Sequence, residues 1–163
     1  MDCFCLGGDG DVKMVDGTFK KVRDLQKGDQ VHSGAYIAVK VVFNTNNGVN
    51  TMNINGLHIT KYHPVLYNGK WRFPVNISTE FGPTLSNVYN FVLDRGHVIN
   101  VNGTDCVTLG HDFEEPVVAH PYFGSSKLVL VDLMKKGGWF EGLVVFNNAL
   151  TKRDTSGIVC GLV

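Results

Sequence analysis

Asn-Gly pairs recur along the chain at Asn47-Gly48, Asn55-Gly56, Asn68-Gly69 and Asn102-Gly103, and Asp16-Gly17 adds another of the same kind. Such pairs tolerate the positive φ angles of tight hairpin turns, so each marks a place where a strand can reverse. Between them lie short runs of β-branched and aromatic residues, over 31–43 (broken by Ser33-Gly34), 51–60, 70–77, 88–93 and 97–101. Short strands at that spacing predict an all-β fold, and a helical period is nearly absent before residue 120.

The texture changes after about residue 109. Glu114-Glu115-Pro116 reads as a loop and His120-Pro121-Tyr122-Phe123-Gly124 as a turn. Ser125 or Ser126 is placed to cap a short helix over 127–136, ended by Gly137-Gly138, although Val129 and Val131 suit a strand as well. A strand over 139–146 and a final hairpin or tail over 151–163 complete a mixed α/β extension. The expected organisation is a β core over 1–108 followed by this extension over 109–163.

Fifteen Lys and Arg balance fifteen Asp and Glu. That balance argues against nucleic acid as a partner, since such binders carry a basic excess. No apolar run approaches the ~18 residues that span a bilayer, and Met1-Asp2-Cys3-Phe4-Cys5 lacks the basic and apolar segments of a signal peptide. A soluble, monomeric chain without cofactor or metal is expected. Its cysteines, Cys3, Cys5, Cys106 and Cys160, form no Cys-x-x-Cys pair. They read mostly as free thiols in a chain whose core is large enough not to need bridges.

Four segments carry chemistry. Cys5-Leu6-Gly7-Gly8-Asp9-Gly10-Asp11-Val12 sets a thiol beside a glycine-rich bend, where a sulfur can reach its own backbone. Asp16-Gly17 and then Leu25-Gln26-Lys27-Gly28-Asp29-Gln30-Val31 read alone as a hairpin and a polar turn. Thr60-Lys61-Tyr62-His63 ends a strand with a hydroxyl and an imidazole able to address one backbone amide. Val88-Tyr89-Asn90, Gly96-His97 and Asn102-Gly103 lie on two strands around a turn. Taken singly, each has a plain reading: an incidental thiol, a core histidine.

Together and in this order they resemble the hedgehog/intein (Hint) self-processing domains. Cys5 stands three residues before Gly8 and seven before Val12, which is the family register; Cys3 does not meet it. The Leu-x-Lys-Gly-Asp-x-Val run, the Thr-x-x-His pair of Thr60 and His63, and the late Val-Tyr…Gly-His…Asn-Gly block follow. The resemblance covers roughly residues 3–108. Gly69-Lys70-Trp71-Arg72-Phe73-Pro74, Cys106-Val107-Thr108-Leu109-Gly110-His111 and His120-Pro121-Tyr122-Phe123-Gly124 are similar to the Vint type, the Hint domain joined to von Willebrand factor A modules. The resemblance implies a horseshoe-like β fold of pseudo-two-fold hairpins. It also implies that 109–163 corresponds to an adduct-recognition region.

A reaction is implied as well. Sγ of Cys5 attacks the carbonyl carbon of Phe4, an N-to-S acyl shift that turns the amide into a thioester. A thiol with a pKa near ~8.5 is mostly protonated at neutral pH, and an amine anion will not leave, so His63 must protonate the Cys5 nitrogen. Thr60 would hold the same linkage, where a ~12° twist from planarity costs only about 1 kcal/mol. Water, a thiol or another nucleophilic acceptor then resolves the thioester and releases the upstream polypeptide of the precursor. His97 either supports the site or makes a structural hydrogen bond. His111 either returns to the site or stays outside it, and Cys106 is either a second nucleophile or a buried strand cysteine.

Three departures from the family pattern limit this activity. After Asn102-Gly103 the chain reads Thr104-Asp105-Cys106, with no Asn to cyclise, so splicing is not expected. Asn90 stands where many inteins carry Asp. No acid lies between Gln30 and Ile59, which speaks against hedgehog-type sterol transfer. Cleavage before Cys5 survives these departures. The alternative is an inactive binding module, suggested by Asn90 and by Gly10 in place of the usual Ser or Thr. Its extension would bind an anionic ligand, a sulfated glycan or lipid headgroup, through Lys127, Lys135, Lys136, Lys152 and Arg153. Interspersed Asp and Glu make an ordinary solvated face the simpler reading of those cations. A thiol hydrolase acting in trans would need an open cleft.

Overall fold

The computed structural model describes residues 4–148 and 151–162; Cys3 lies outside them. The strands are β1 (Asp11–Lys13), β2 (Phe19–Lys21), β3 (Ile37–Val49), β4 (Met52–Ile54), β5 (Leu57–Ile59), β6 (Val65–Tyr67) and β7 (Lys70–Arg72). They continue as β8 (Leu85–Leu93), β9 (Val98–Val101), β10 (Thr104–Val107), β11 (Leu143–Asn147), β12 (Thr151–Arg153) and β13 (Val159–Leu162). The α-helices among the described residues are α1 (Pro74–Ile77) and α2 (Ser126–Met134), and a 3₁₀ turn covers Val22–Asp24.

Three Asn-Gly pairs make the predicted reversals. Asn55-Gly56, Asn68-Gly69 and Asn102-Gly103 all have positive φ at both residues and join β4 to β5, β6 to β7 and β9 to β10. Asn47-Gly48 does not. It lies inside β3, where the register against β8 shifts between Asn44 and Val49, so it serves a strand irregularity and not a turn. The strand predicted over 70–77 stops at Arg72, because Pro74, with its fixed φ, opens the α1 turn. The strand predicted from 139 starts only at Leu143, after Gly138 and Gly142 turn the chain at positive φ.

One sheet runs β2-β1-β9-β10-β6-β7 with every pair antiparallel. A second runs β11-β3-β8; β11 joins β3 in parallel, setting Leu143–Asn147 against Lys40–Asn44. The pairs β4-β5 and β12-β13 complete the strand inventory of the described residues. Ser125 caps α2 by accepting the Leu128 amide at 3.1 Å, and Val129 and Leu133, four residues apart, face the interior. No helix among the described residues is long and apolar enough to cross a membrane.

The interior forms two clusters. One gathers Leu6, Val12, Leu57, Ile59, Phe91 and Ile99. The other gathers Phe4 and Cys5 with Val41, Phe43 and Val88, and draws Tyr122, Leu133, Val144 and Phe146 from beyond residue 109. Phe146 stacks on Phe43 with ring centroids 5.2 Å apart and planes 12° from parallel. Phe146→Ala is therefore expected to cost about 3–5 kcal/mol in urea unfolding. Phe140→Ala, at a side chain 86% exposed, should change stability by no more than about 0.5 kcal/mol.

Candidate functional site

Residues 5–7 lie as a short extended segment between β5 and β8. Leu6 N donates to Tyr89 O at 2.8 Å and Leu6 O accepts Tyr89 N at 2.9 Å; Gly7 N donates to His58 O at 2.7 Å and Thr60 N to Cys5 O at 3.1 Å. The glycines after it permit the close approach. A Cβ on Gly8 would lie 2.9 Å from the Tyr89 ring, and one on Gly10 would lie 2.5 Å from Cγ1 of buried Val101. Packing against Val101 thus accounts for glycine at position 10.

This insertion brings together the residues on either side of the Phe4–Cys5 peptide. Thr60, just past β5, accepts the Cys5 N–H on Oγ1 at 3.1 Å, and its hydroxyl lies 3.4 Å from Cys5 O. His63 follows on a turn closed by its own N–H to Thr60 O at 3.2 Å. Its Nε2 sits 2.6 Å from the Val107 carbonyl, which can only accept, so this nitrogen carries the ring proton. Nδ1 is then the bare nitrogen; it is buried without a hydrogen-bond partner, and the Cys5 backbone lies near enough to favour the charged ring. Burial outweighs that pull and lowers His63 to about 4. Cys5 is fully buried and its sulfur is in disulfide linkage, whereas Cys106 and Cys160 are free thiols.

Asn90 completes the enclosure from β8. Its side-chain Nδ2 donates to the Phe4 carbonyl oxygen, and its Oδ1 accepts the Phe91 N–H at 2.8 Å. Sequence reasoning treated Asn90 only as a missing acid. The available signal was its inward position between Val88 and Val92, where a polar side chain needs a partner. The Phe4 ring is caged by His63 (centroids 5.6 Å), His120 (5.2 Å) and Phe123 (4.9 Å). In the sequence His120 stands out as part of a turn and of a Vint-like motif, with no sign of this contact. A cavity of about 700 Å³ opens beside Phe4 and Thr60, lined also by Lys61, Phe73, His120 and Ile158.

The remaining candidates sort by position. His111 is buried and near enough to His63 and His120 to disfavour their charged forms; its Nδ1 accepts the Phe113 amide at 2.8 Å, and its Nε2 is buried without a partner. His97 sits behind it: the two rings flank Phe113, at 6.4 Å and 4.9 Å, and the His97 carbonyl accepts the Thr108 N–H at 2.8 Å. Cys106 is fully buried in β10, and burial pushes its thiol well above the ordinary range. Among the extension's cations, Lys135 lies 3.8 Å from Asp132 and Lys136 over the Phe146 ring.

Burial is the largest cause lowering His63, His111 and His120, each to about 4 from an ordinary 6.5. Unfolding lets all three take up protons between those values, so their contribution to stability is complete above pH 6.5. It is lost as pH falls toward 4. Urea midpoints measured from pH 7.5 to 4.5 should fall steadily below about pH 6.5, and His63→Gln should flatten that slope.

A search of curated proteins finds no match. A family model described as Vint, Hint-domain, matches residues 4–161, from the caged Phe4 to the last described hairpin. Hint domains generally mediate autoprocessing, the class of reaction in which a chain acts on its own backbone. The chain belongs to the Vint family of Hint domains.

Proposed function

We propose that this domain cleaves the peptide bond before Cys5 through a thioester, without splicing. The observation that carries the reading is the enclosure of one peptide unit: the Cys5 N–H on Thr60, the Phe4 oxygen on Asn90, and the bare Nδ1 of His63 beside the Cys5 backbone. With its Nε2 proton committed to Val107, a neutral His63 enters the reaction as a base. It takes the thiol proton on Nδ1, Sγ bonds to the Phe4 carbonyl carbon, and the same proton passes to the Cys5 nitrogen as the C–N bond breaks. The products are a Phe4–Cys5 thioester and a free amine on Cys5. An imidazole with a pKa near 4 releases its proton readily once charged, which suits the second transfer.

Complete burial of Cys5 supports action in cis over attack on a separate substrate. The cavity at Phe4 gives the resolving nucleophile a route to the thioester carbon. Its walls combine residues before 109 with residues from 117–123 and 153–159, which supports an adduct-recognition role for 109–163. An external thiol or other reductant must first open the disulfide at Cys5. His111 bears on His63 by disfavouring its charged form, and His97 bears in the same way on His111; the upstream polypeptide is the natural partner.

Mass spectrometry of a fusion with an upstream tag tests the reading. A phosphine reductant should expose the site and give slow hydrolysis, dithiothreitol should accelerate release, and the oxidised protein should remain intact. Release at the same bond from Cys5→Ala would falsify the mechanism. His63→Ala should lower the rate by about 10²–10⁴-fold. Thr60→Ala should slow release and, by orphaning a buried N–H, also cost about 1–3 kcal/mol in urea unfolding.

A further inference from the structure

The Phe4 carbonyl oxygen is the atom on which negative charge must appear, and Asn90 is the side chain that touches it. Resting on the cleavage reading above, we propose that the Asn90 amide is the electrophilic catalyst of the acyl shift, binding the oxyanion that develops at Phe4. When Sγ attacks, the carbonyl π electron pair moves to oxygen. The Nδ2–H donates to that oxygen until the carbonyl reforms and the nitrogen leaves as an amine with the proton from His63.

Three features fit this role. The first is orientation. Phe91 N–H can only donate, and at 2.8 Å it claims Oδ1, which leaves the NH₂ end facing Phe4. The second is rigidity: Asn90 sits mid-strand, paired with Val41 of β3, and is fully buried. A donor held in place in a water-excluded site needs no reorganisation as charge develops, and it acts there more strongly than in water. The third is charge. A carboxylate at this position would set a negative group against the forming oxyanion; a neutral amide attracts it. The departure from Asp at position 90 is therefore what equips the site for electrophilic catalysis.

Two measurements test the assignment. In a Cys5→Ala precursor carrying ¹³C at the Phe4 carbonyl, the bond stays intact and its infrared stretch reports the hydrogen bond. Asn90→Ala should move that band to higher frequency. In the reduced, cleavage-competent protein, thioester formation trapped with hydroxylamine should slow by about 10²–10³-fold in Asn90→Ala, and at least as much in Asn90→Asp. Asn90→Asp keeps the size of the side chain and its contact to Phe91, so it serves where Asn90→Ala does not fold. An unmoved band, or trapping within about threefold of wild type in both variants, overturns the role of Asn90 alone. Absence of trapping in the wild type overturns the cleavage reading beneath it.

Discussion

Four backbone hydrogen bonds, between 2.7 and 3.1 Å, hold residues 5–7 in the slot between β5 and β8, with Leu6 bridging to both Ile59 and Tyr89. Each contributes only about 0.5–1.5 kcal/mol to stability, so their larger effect is on position. An extended segment turns alternate side chains to opposite sides. Cys5 and Leu6 accordingly enter different interior clusters, and Phe4, just before the extended segment, joins that of Cys5. The segment can neither slide nor rotate without pulling apolar groups from both. The peptide unit just before it is thereby held at fixed distance from Thr60 on one side and Asn90 on the other. Holding reactants in this way is worth effective molarities of about 10⁵–10⁸ M in favourable cases, which suits a reaction a chain performs once on itself.

Around that peptide the site is built from neutral groups. Burial keeps His63, His111 and His120 uncharged at neutral pH, and no carboxylate figures among the groups that shift His63. Thr60 and Asn90 are neutral as well. In the proposed acyl shift, full charge therefore appears only as the reaction proceeds, on the Phe4 oxygen and on His63. In a low-dielectric interior, opposite charges created together a few ångströms apart stabilise one another far more than they would in water. A permanent carboxylate would have raised His63 toward the charged state, in which it could not accept the thiol proton as proposed.

Much of this was legible in the sequence, for a physical reason. Asn55-Gly56, Asn68-Gly69 and Asn102-Gly103 announce hairpins because few other pairs adopt two positive φ angles cheaply. The spacing from Cys5 to Gly8 locates the thiol because the Tyr89 ring leaves no room for a side chain there. Thr60 and His63 fall on one side of the linkage because a single backbone turn joins them. What stayed hidden depends on partners remote in sequence. Asn47-Gly48 carries the same local signal as the true turns, yet it falls where β3 shifts register against β8, with Gly48 alone at positive φ. Asn90 reaches Phe4 across 86 residues. His120 meets the same ring only because the segment after residue 109 folds back onto the core.

That return also bears on what the C-terminal third of the chain is for. β11 could have served stability alone by covering β3, and Phe146 on Phe43 shows that it does so. The same segment sets His120 and Phe123 against the Phe4 ring and lines the cavity beside it with residues 157–159. A wall shared between Phe4 and the C-terminal segment couples the two. Anything that binds in the cavity touches both, and anything that shifts 117–123 moves the cage around Phe4. In the proposed reaction this places the segment to govern which nucleophile reaches the thioester carbon, while the residues proposed to form the thioester all lie before it.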